Sequence, residues 1–596
     1  MTELYITKTS TRNPLPQRLA DFTTLAEALD YAAQGVTGYN FHDGRGRLTA
    51  PLRYAELRQR ALAAAYRLCR LGLKRGDKVA IIADTSPLFM EIFYGCQYAG
   101  FVPVPLPINM SLGNHASYVE RLARLLRSCE ARVAVAPAEM QSFLAEAGSE
   151  LDLLFSGGNE AFLRLDANVH ALEPSRPDEL AYLQYTSGST GFPRGVMIDQ
   201  ATVMANLRGI VTHGLGVRPG DRCVSWLPFY HDMGLVGFVL GPMASQLSVD
   251  YLGAREFAMR PMQWLTLLSR NRGTIAFAPP FGYDICARRL RSGDLERLDL
   301  SSWRVAGIGA EPVRTDVLER FAECFAPAGF DSRAFLPCYG LAECSLAVSF
   351  APLRQGIAIE RIDRAHLEHH AHARLASACG DMAVTSFVNC GHALPGHEIV
   401  IRDQQGNPLP ERAVGRVTVR GPSVMSGYFQ NPEKTHRVLR NGWLDTGDLG
   451  YLTPDGLFIT GRHRDLIFVN GRNIWPEDLE HLAGHYHGVR HGDVVAFTAA
   501  ADDEEAVVML VQCRLSDAQR RHELINELTS RIRSDFGVAC RVVLLPPPLA
   551  AAHVFRQAFA QRSVQTLPAG GPRVAGPGIA SRVAGRDRCC ILILWP

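Results

Sequence analysis

The run Tyr185-Thr186-Ser187-Gly188-Ser189-Thr190-Gly191-Phe192-Pro193-Arg194-Gly195 crowds hydroxyls and glycines between two apolar segments. Glycine lets a backbone approach a ligand closely and adopt positive φ. Successive N–H groups in such a turn form an anion-binding nest, and the hydroxyls of Thr186, Ser187, Ser189 and Thr190 add donors. One cation, Arg194, closes the loop. The combination suits a polyphosphate. A flexible Gly/Ser linker would not sit between two apolar strands, nor leave through a proline and a cation. The pattern Gly-x-x-x-x-Gly-Lys-Ser/Thr is absent, so the loop is not of the Walker type.

Further along, four stretches carry residues that could act on the same ligand, and each has an ordinary reading beside the chemical one. His231-Asp232 follows a strand-like Cys223–Pro228 and is either catalytic or a capped turn; spacing alone favours the turn. In Ile308-Gly309-Ala310-Glu311 the small residues permit close approach of a flat ring, although a plain βα turn with Glu311 near a helix start fits as well. In Cys338-Tyr339-Gly340-Leu341-Ala342-Glu343 the aromatic ring can stack on a base. The carboxylate four residues later can hold a hard cation such as Mg²⁺ against phosphates; the alternative is a buried tyrosine and a surface glutamate. In Asp445-Thr446-Gly447-Asp448 the carboxylate of Asp448 can accept hydrogen bonds from both hydroxyls of a ribose, unless the stretch is simply a turn. Four clustered histidines, His366, His369, His370 and His372, lack a cysteine or carboxylate set to complete a metal site and read as a solvated loop or small helix.

In this order the motifs resemble those of the adenylate-forming superfamily, which includes acyl-CoA synthetases, luciferases and peptide-synthetase adenylation domains. His231-Asp232-Met233-Gly234-Leu235 and the long segment between Ser349 and Gly391 resemble its fatty acyl-AMP ligase branch, where an insertion restricts the domain motion that CoA chemistry needs. The resemblance runs from about residue 20 to Leu545 and implies an acid–thiol ligase. Such an enzyme uses ATP and Mg²⁺ to convert a fatty acid to acyl-AMP, then passes the acyl group to an acyl carrier protein or to a carrier domain of a polyketide or peptide synthase. It implies that Thr186, Ser187, Gly188, Ser189, Thr190, Gly191 and Arg194 hold phosphates, and that Gly309, Ala310, Glu311, Tyr339 and Gly340 lie along adenine. Asp448 and Arg462 would bind ribose, Glu343 would hold the metal, His231 would sit beside the carboxylate or acyl-adenylate, and Asp465 would act as the hinge. The catalytic set is thus His231, Arg194 and Glu343. Three departures stand out: Arg194 and Arg464 replace lysines, and Arg416 replaces an acidic residue.

The elements expected to carry these residues alternate. Helix-period apolar spacing covers Thr23–Tyr31, Arg53–Leu71, Met90–Gly100, Tyr118–Cys129 and Ala201–Leu207. Strand-like runs cover Gly76–Ala83, Ala131–Val135, Ala181–Tyr185, Val196–Ile198 and Trp303–Ala306, and Phe101–Leu106 reads as an extended segment broken by prolines. Alternation of this kind predicts βαβ units and a mostly parallel sheet. Leu394–Ile401 and Val414–Gly421 suggest a small β-rich part, and Asp493–Phe497, Ala506–Val511 and Leu524–Phe536 suggest strand, strand and helix. The fold class expected is α/β. A large N-terminal adenylate-forming domain (1–464) would hold two sheet-bearing subdomains and a β-rich one, followed by a small α+β domain (465–548) and an aberrant tail (549–596). The 596 residues set a length prior of about four folding units. A hydrophobic content of 47% is that of a globular protein, and a net charge of +2 points to neither nucleic acid nor an anionic membrane as a bulk partner. The 14 cysteines show no paired spacing, Met1–Tyr5 shows no secretory signal, and no apolar run reaches spanning length, so the cytoplasm is expected.

The tail breaks the pattern. The family's small domain ends in a loop of the type Leu-Pro-Arg-Thr-Ser-Ser-Gly-Lys, whose lysine stabilises charge in the adenylation transition state. Here lysine occurs only at Lys8, Lys74, Lys78 and Lys434, and Pro546-Pro547-Pro548 leads into Gly, Pro, Ala and Arg clusters. Disorder is the plain reading. The genetic code offers a sharper one. Ala550 through Phe559, given GC-rich codons and read one base later, can spell Leu-Pro-Arg-Thr-Ser-Ser-Gly-Lys-Leu-Ser, which suggests a frameshift near Pro548–Ala550. The chain as written would then bind ATP and an acyl chain but activate poorly. Its rivals are a long-chain acyl-CoA synthetase and an inactive nucleotide- or acyl-binding pseudoenzyme.

Overall fold

A computed structural model of the chain describes residues 15–108, 115–168, 171–186, 193–376, 384–463, 465–469, 472–501, 504–536 and 538–545. These fall into two units. The first takes residues up to Thr186, Pro193–Glu360 and Ser386–Thr460; the second takes Arg361–Thr385 and the residues from Gly461 onward. Length suggested about four. There are fewer because one hydrophobic core runs through the first unit, from Ala20 and Leu25 to Leu444 and Leu457.

Strands β1 (Gly38–His42) and β2 (Leu48–Arg53) open the first unit. Next, β3 (Lys78–Ile82), β4 (Val102–Leu106), β5 (Ala131–Ala136) and β6 (Phe155–Gly158) form a parallel sheet in the order β4-β3-β5-β6. The segment expected to be broken by prolines is a full strand. β4 is an edge, and the N–H of Val102 and the carbonyl of Leu106 face inward to Asp77 and Ala83. Pro103 and Pro105 therefore point their missing donors outward, where no ladder bond is lost. The helix after β3 starts at Pro87 rather than Met90 because Ser86 caps it, its Oγ accepting from the Phe89 N–H at 3.4 Å.

β7 (Leu180–Thr186) and β8 (Arg194–Asp199) are an antiparallel pair that sets Thr186 opposite Arg194. The loop they frame, with Ser187, Gly188, Ser189, Thr190 and Gly191, lies outside the described residues. β9 (Arg222–Ser225), β10 (Ser248–Leu252), β11 (Ile275–Ala278), β12 (Val305–Ile308), β13 (Phe335–Gly340) and β14 (Ala347–Phe350) follow. After them come β15 (Ile359–Asp363), β16 (Val384–Val388) and β17 (His392–Ala393). The large sheet has nine strands in the order β17-β14-β13-β12-β11-β9-β10-β1-β2. Every neighbouring pair from β13 to β1 is parallel, and the antiparallel strands sit at its two ends. The β-rich part contains β18 (Glu398–Arg402), β19 (Gly415–Arg420), β20 (Gly427–Tyr428), β21 (Leu439–Arg440), β22 (Trp443–Thr453) and β23 (Gly456–Arg462). β20 leaves this group and pairs with β8 instead.

In the second unit, the hairpin β24 (Ile467–Val469) and β25 (Arg472–Ile474) precedes a helix over Pro476–Gly484. β26 (Val489–Ala501) and β27 (Glu504–Cys513) are antiparallel, and a helix over Ala518–Phe536 crosses to β28 (Cys540–Leu545), which lies parallel to β27. Leu524, Leu528, Ile532 and Phe536 give that helix one buried face at four-residue spacing. Part of the insertion, Arg361–Thr385, belongs to this unit. Its short helix, Arg364–His370, is capped by Asp363, and the Arg364 guanidinium lies 4.2 Å from the centre of the Phe536 ring and donates to the Asp535 carbonyl. Thr385 donates to Asp478, whose carboxyl burial pushes up to about 7. The rings of His366 and His370 are 4.5 Å apart. Among the described residues no set of His, Cys, Asp or Glu side chains is gathered to hold a metal, and no helix is long and apolar enough to cross a membrane.

The large sheet also buries charge. Asp250, fully buried on β10, takes two hydrogen bonds from Arg222 (2.5 and 2.9 Å), one from His42 (3.0 Å) and one from Asn40 (3.1 Å). Burial alone would raise this carboxyl, but the bonds from His42 and Arg222 outweigh it and hold the group below its usual range. A lowered folded pKa means that the stabilisation is present at neutral pH and fades as pH falls below the ordinary carboxylate value of about 3.9. Asp250→Ala leaves Arg222 buried without its partner and is expected to cost about 3–5 kcal/mol in equilibrium urea unfolding at pH 7, followed by tryptophan fluorescence. An unchanged midpoint would show the cluster to be dispensable.

Candidate active site

Parallel strands deliver their carboxyl ends to one edge, and crevices at that edge are where ligands bind in open α/β sheets. Three of the predicted stretches leave the large sheet there: Trp226–Asp232 from β9, Gly309–Glu311 from β12, and Gly340–Glu343 from β13. The register sets Ala278 beside Ile308 and Ile308 beside Pro337, so these exits are level.

The β13 exit is tightly built. A Cβ on Gly340 would lie 1.9 Å from the Leu346 carbonyl oxygen, so only glycine fits. The Leu341 N–H donates to that same oxygen, closing a turn in which Ser345 adopts φ 65° and ψ −58°. A non-glycine residue in that region carries strain of about 1–3 kcal/mol and persists only where its surroundings over-determine it. Here Ser345 Oγ donates to the Ser423 carbonyl, and Ser423 Oγ meets His397 Nε2 at 2.5 Å. The Met425 N–H donates to the Glu343 carbonyl. The turn therefore holds Glu343, half-buried, in one place. The β12 exit carries a second such residue, Ala310 at φ 68°, between buried Gly309 and half-buried Glu311.

Two hydrogen bonds pair the predicted residues with partners distant in sequence. Tyr339 Oη donates to Asp448 Oδ2 at 2.6 Å, with both side chains almost wholly buried. Burial first, and then the Asp448 carboxylate, push the Tyr339 hydroxyl well above its usual range, so it stays a donor. Asp448 is itself fixed by a local turn: its N–H donates to Thr446 Oγ1, which donates to the Val417 carbonyl. Arg416, the reversed charge, forms an ion pair of 2.9 Å with Asp445 in the same turn and ties β19 to β22.

The second pair involves a residue that motif reading missed. Tyr428 Oη donates to Glu343 Oε1 at 2.7 Å, and the Arg194 guanidinium lies 5.5 Å from the Tyr428 ring centre. Gln184 was missed as well; its Nε2 donates to the Tyr230 carbonyl at 2.6 Å, joining β7 to the His231 loop. The run Gly421–Tyr428 is rich in small and hydroxyl residues and ends on an aromatic, which is a signal of a tight segment. Nothing in it points to Glu343, 85 residues away.

His231 caps the single turn Asp232–Gly234 and lies 2.7 Å from Asp232. Its side chain is exposed, 48% of it open to solvent. Burial works against its protonated form, but Asp232, with Glu311 adding, outweighs burial and raises the imidazole above its usual range. Arg462 and Asp465 belong to the second unit, where the Asp465 N–H donates to the Arg462 carbonyl in a turn; Arg462 is exposed and Asp465 half-buried.

With this geometry in view, comparison with known proteins is informative. Residues 41–429 match the AMP-binding enzyme family. A protein of Caulobacter vibrioides (strain NA1000 / CB15N), provisionally named an acyl-CoA synthetase, is 45% identical over 545 residues, covering 91% of this chain and 94% of its own. The medium-chain-fatty-acid–[acyl-carrier-protein] ligase JamA of Moorena producens (strain JHB) is 31% identical over 536 residues, covering 86% and 89%. A solved structure from a study of fatty acyl-adenylate ligases of E. coli and L. pneumophila superposes with a TM-score of 0.87 at 49% identity, covering 92% of this chain and all of its own. A buried tyrosine–carboxylate pair and a clamped glutamate, both at the carboxyl edge of a parallel sheet, are thus carried by a chain that belongs to the AMP-binding enzyme family and, within it, to the fatty acyl-AMP ligase branch.

Proposed function

We propose that the chain binds Mg·ATP and a fatty acid at the carboxyl edge of the large sheet and joins them. The substrate carboxylate attacks the α-phosphorus, the bond to the β-phosphate oxygen breaks, and acyl-AMP and pyrophosphate result. The observation that supports this best is the Tyr339–Asp448 hydrogen bond. It keeps an aromatic face for adenine and a carboxylate for ribose in fixed relation, beside the turn that carries Glu343.

In this reading Thr186, the loop from Ser187 to Gly191, and Arg194 hold the phosphates. Gly309, Ala310, Glu311 and Gly340 lie along the base, and Arg462 adds a ribose contact. Glu343 supplies an oxygen to Mg²⁺, which commonly takes one or two carboxylates and leaves its other positions to phosphates and water. The metal, when bound, neutralises phosphate charge. His231, whose protonated form Asp232 favours, faces the carboxylate before attack and the acyl phosphate after it. Asp465 acts as the hinge. The acyl group then passes to the phosphopantetheine thiol of a carrier protein, with AMP leaving; relatives named for that acceptor support this step. The name of the Caulobacter relative supports CoA as the competing acceptor. The enzyme without its tail lysine would bind ATP and the fatty acid but join them poorly.

Fatty-acid-dependent exchange of pyrophosphate into ATP tests the first step, and replacing carrier protein by CoA tests the second. The expected result is exchange with slow acyl-CoA formation; rapid acyl-CoA formation would transfer the chain to the synthetases. Saturable ATP binding with no exchange at any enzyme concentration would make it a pseudoenzyme.

Two further outcomes are expected. Asp232→Asn removes the charge that raises His231, so the alkaline limb of the exchange-rate profile should move to lower pH. A limb that stays in place excludes His231 as the group titrating there. Coding DNA across Leu545–Phe559 should spell the lysine loop in the next frame, and a chain re-encoded in that frame should exchange roughly 100-fold faster or more, the usual effect of restoring one transition-state contact. DNA that does not encode the loop ends the frameshift explanation.

A further inference from the structure

The sequence offers no reason to single out Tyr428, yet three independent constraints converge on it. Its backbone is a strand residue: Tyr428 pairs with Val196 across β20 and β8, Gly427 pairs with Met197, and the Phe429 N–H donates to the Gly195 carbonyl. Its own N–H donates to Thr435 Oγ1. The ring is 5% exposed. Neither main chain nor ring has room to move, so the hydroxyl is delivered to a set point, and there it meets Glu343 Oε1.

The same pairing explains the contact with Arg194. Residues two apart on a strand share a face, and diagonal cross-strand neighbours lie within reach of long side chains. Val196 is opposite Tyr428, so Arg194 is its diagonal neighbour on that face, and the 5.5 Å from guanidinium to ring centre follows. One side chain thus touches both the cation that ends the phosphate loop and the carboxylate of the β13 turn.

We infer that Tyr428 is a positioning residue that holds the Glu343 carboxylate and the Arg194 guanidinium in a fixed mutual arrangement, the hydroxyl orienting the metal-binding oxygen and the ring orienting the loop cation. The inference rests on the reading of the site as one for Mg·ATP. Two of the charged groups that meet a metal–nucleotide complex sit on separate elements, a strand end and a turn. A buried tyrosine in contact with both ties them together before binding, and a site arranged in advance loses less on binding.

Substitution separates the two halves of the claim. Tyr428→Phe keeps the ring and its packing and deletes only the bond to Glu343. Binding of a fluorescent ATP analogue, titrated with Mg²⁺ on the whole chain, should then need roughly ten-fold more metal or above, the scale of one lost hydrogen bond to a charged group. The fold, followed by circular dichroism, and metal-free nucleotide binding should be unchanged. Tyr428→Leu removes the ring as well and should weaken metal-free nucleotide binding through Arg194. Because Tyr428 acts through Glu343, the double variant Tyr428→Phe with Glu343→Gln should need no more Mg²⁺ than Glu343→Gln alone. Equal Mg²⁺ dependence in wild type and Tyr428→Phe, or additive losses in the double variant, would overturn the inference while leaving the proposed function standing. Failure of the wild type to bind Mg·ATP would overturn both. These are binding measurements, so the missing tail lysine does not affect them.

Discussion

The parallel register from β13 to β1 is the constraint on which the remainder depends. A parallel strand returns to the same edge each time, so residues scattered from His231 to Glu343 leave the sheet side by side. The antiparallel strands are confined to its ends, where they do not interrupt this. A one-residue slip of β13 against β12 would carry Tyr339 to the opposite face and part it from Asp448. Register here is pinned by Gly307, whose Cβ would collide with the Phe277 ring of β11 at 2.1 Å, and by Gly340 under Leu346. Close packing of glycine against its neighbour leaves no room for an alternative pairing.

The two edges of that sheet do different work. Arg222 opens β9, and Asp221 and Arg304 precede β9 and β12, so the guanidinium–carboxylate pairs cluster where these strands begin. The carboxylates are buried and each is paired with a largely buried guanidinium, which ties these elements together. The exits of β9, β12 and β13 carry strained or solvent-facing groups: Ala310, Ser345 and His231. Strain at one edge persists because the opposite edge and the apolar core between them hold the frame.

Much of this was legible in sequence, for a physical reason. A motif such as Tyr339–Glu343 or Asp445–Asp448 is local: its turn, its glycine and its functional side chain lie within a few residues, so composition reports geometry. The alternation of strands and helices was legible for the same reason. What sequence concealed was pairing across distance. The Tyr339–Asp448 and Tyr428–Glu343 bonds span 109 and 85 residues, and β20 leaves its own neighbours to join β8. No periodicity records such a choice. Arg416 illustrates the point, since a charge reversal that looked anomalous in a motif is resolved by a partner on another strand, Asp445. The prolines of β4 misled in the other direction, because whether a missing N–H matters depends on which side of the sheet it faces.

The departure at Arg194 is best understood through its surroundings. A guanidinium is planar and spreads its charge, and it favours aromatic faces more than an ammonium does. Tyr428 presents such a face, and β8 holds the Arg194 backbone in a ladder with β7. The arginine is thereby committed to the loop exit. A cation that must approach the reacting carboxylate only during adenylation needs a mobile segment, and a residue locked into a three-stranded sheet cannot supply it. The arginine at this position therefore does not compensate for the absence of lysine beyond Lys434. In the proposed reading the first keeps a cation at the phosphate loop and gives it an aromatic partner, Tyr428, and the second would remove a contact for which this arginine offers no substitute.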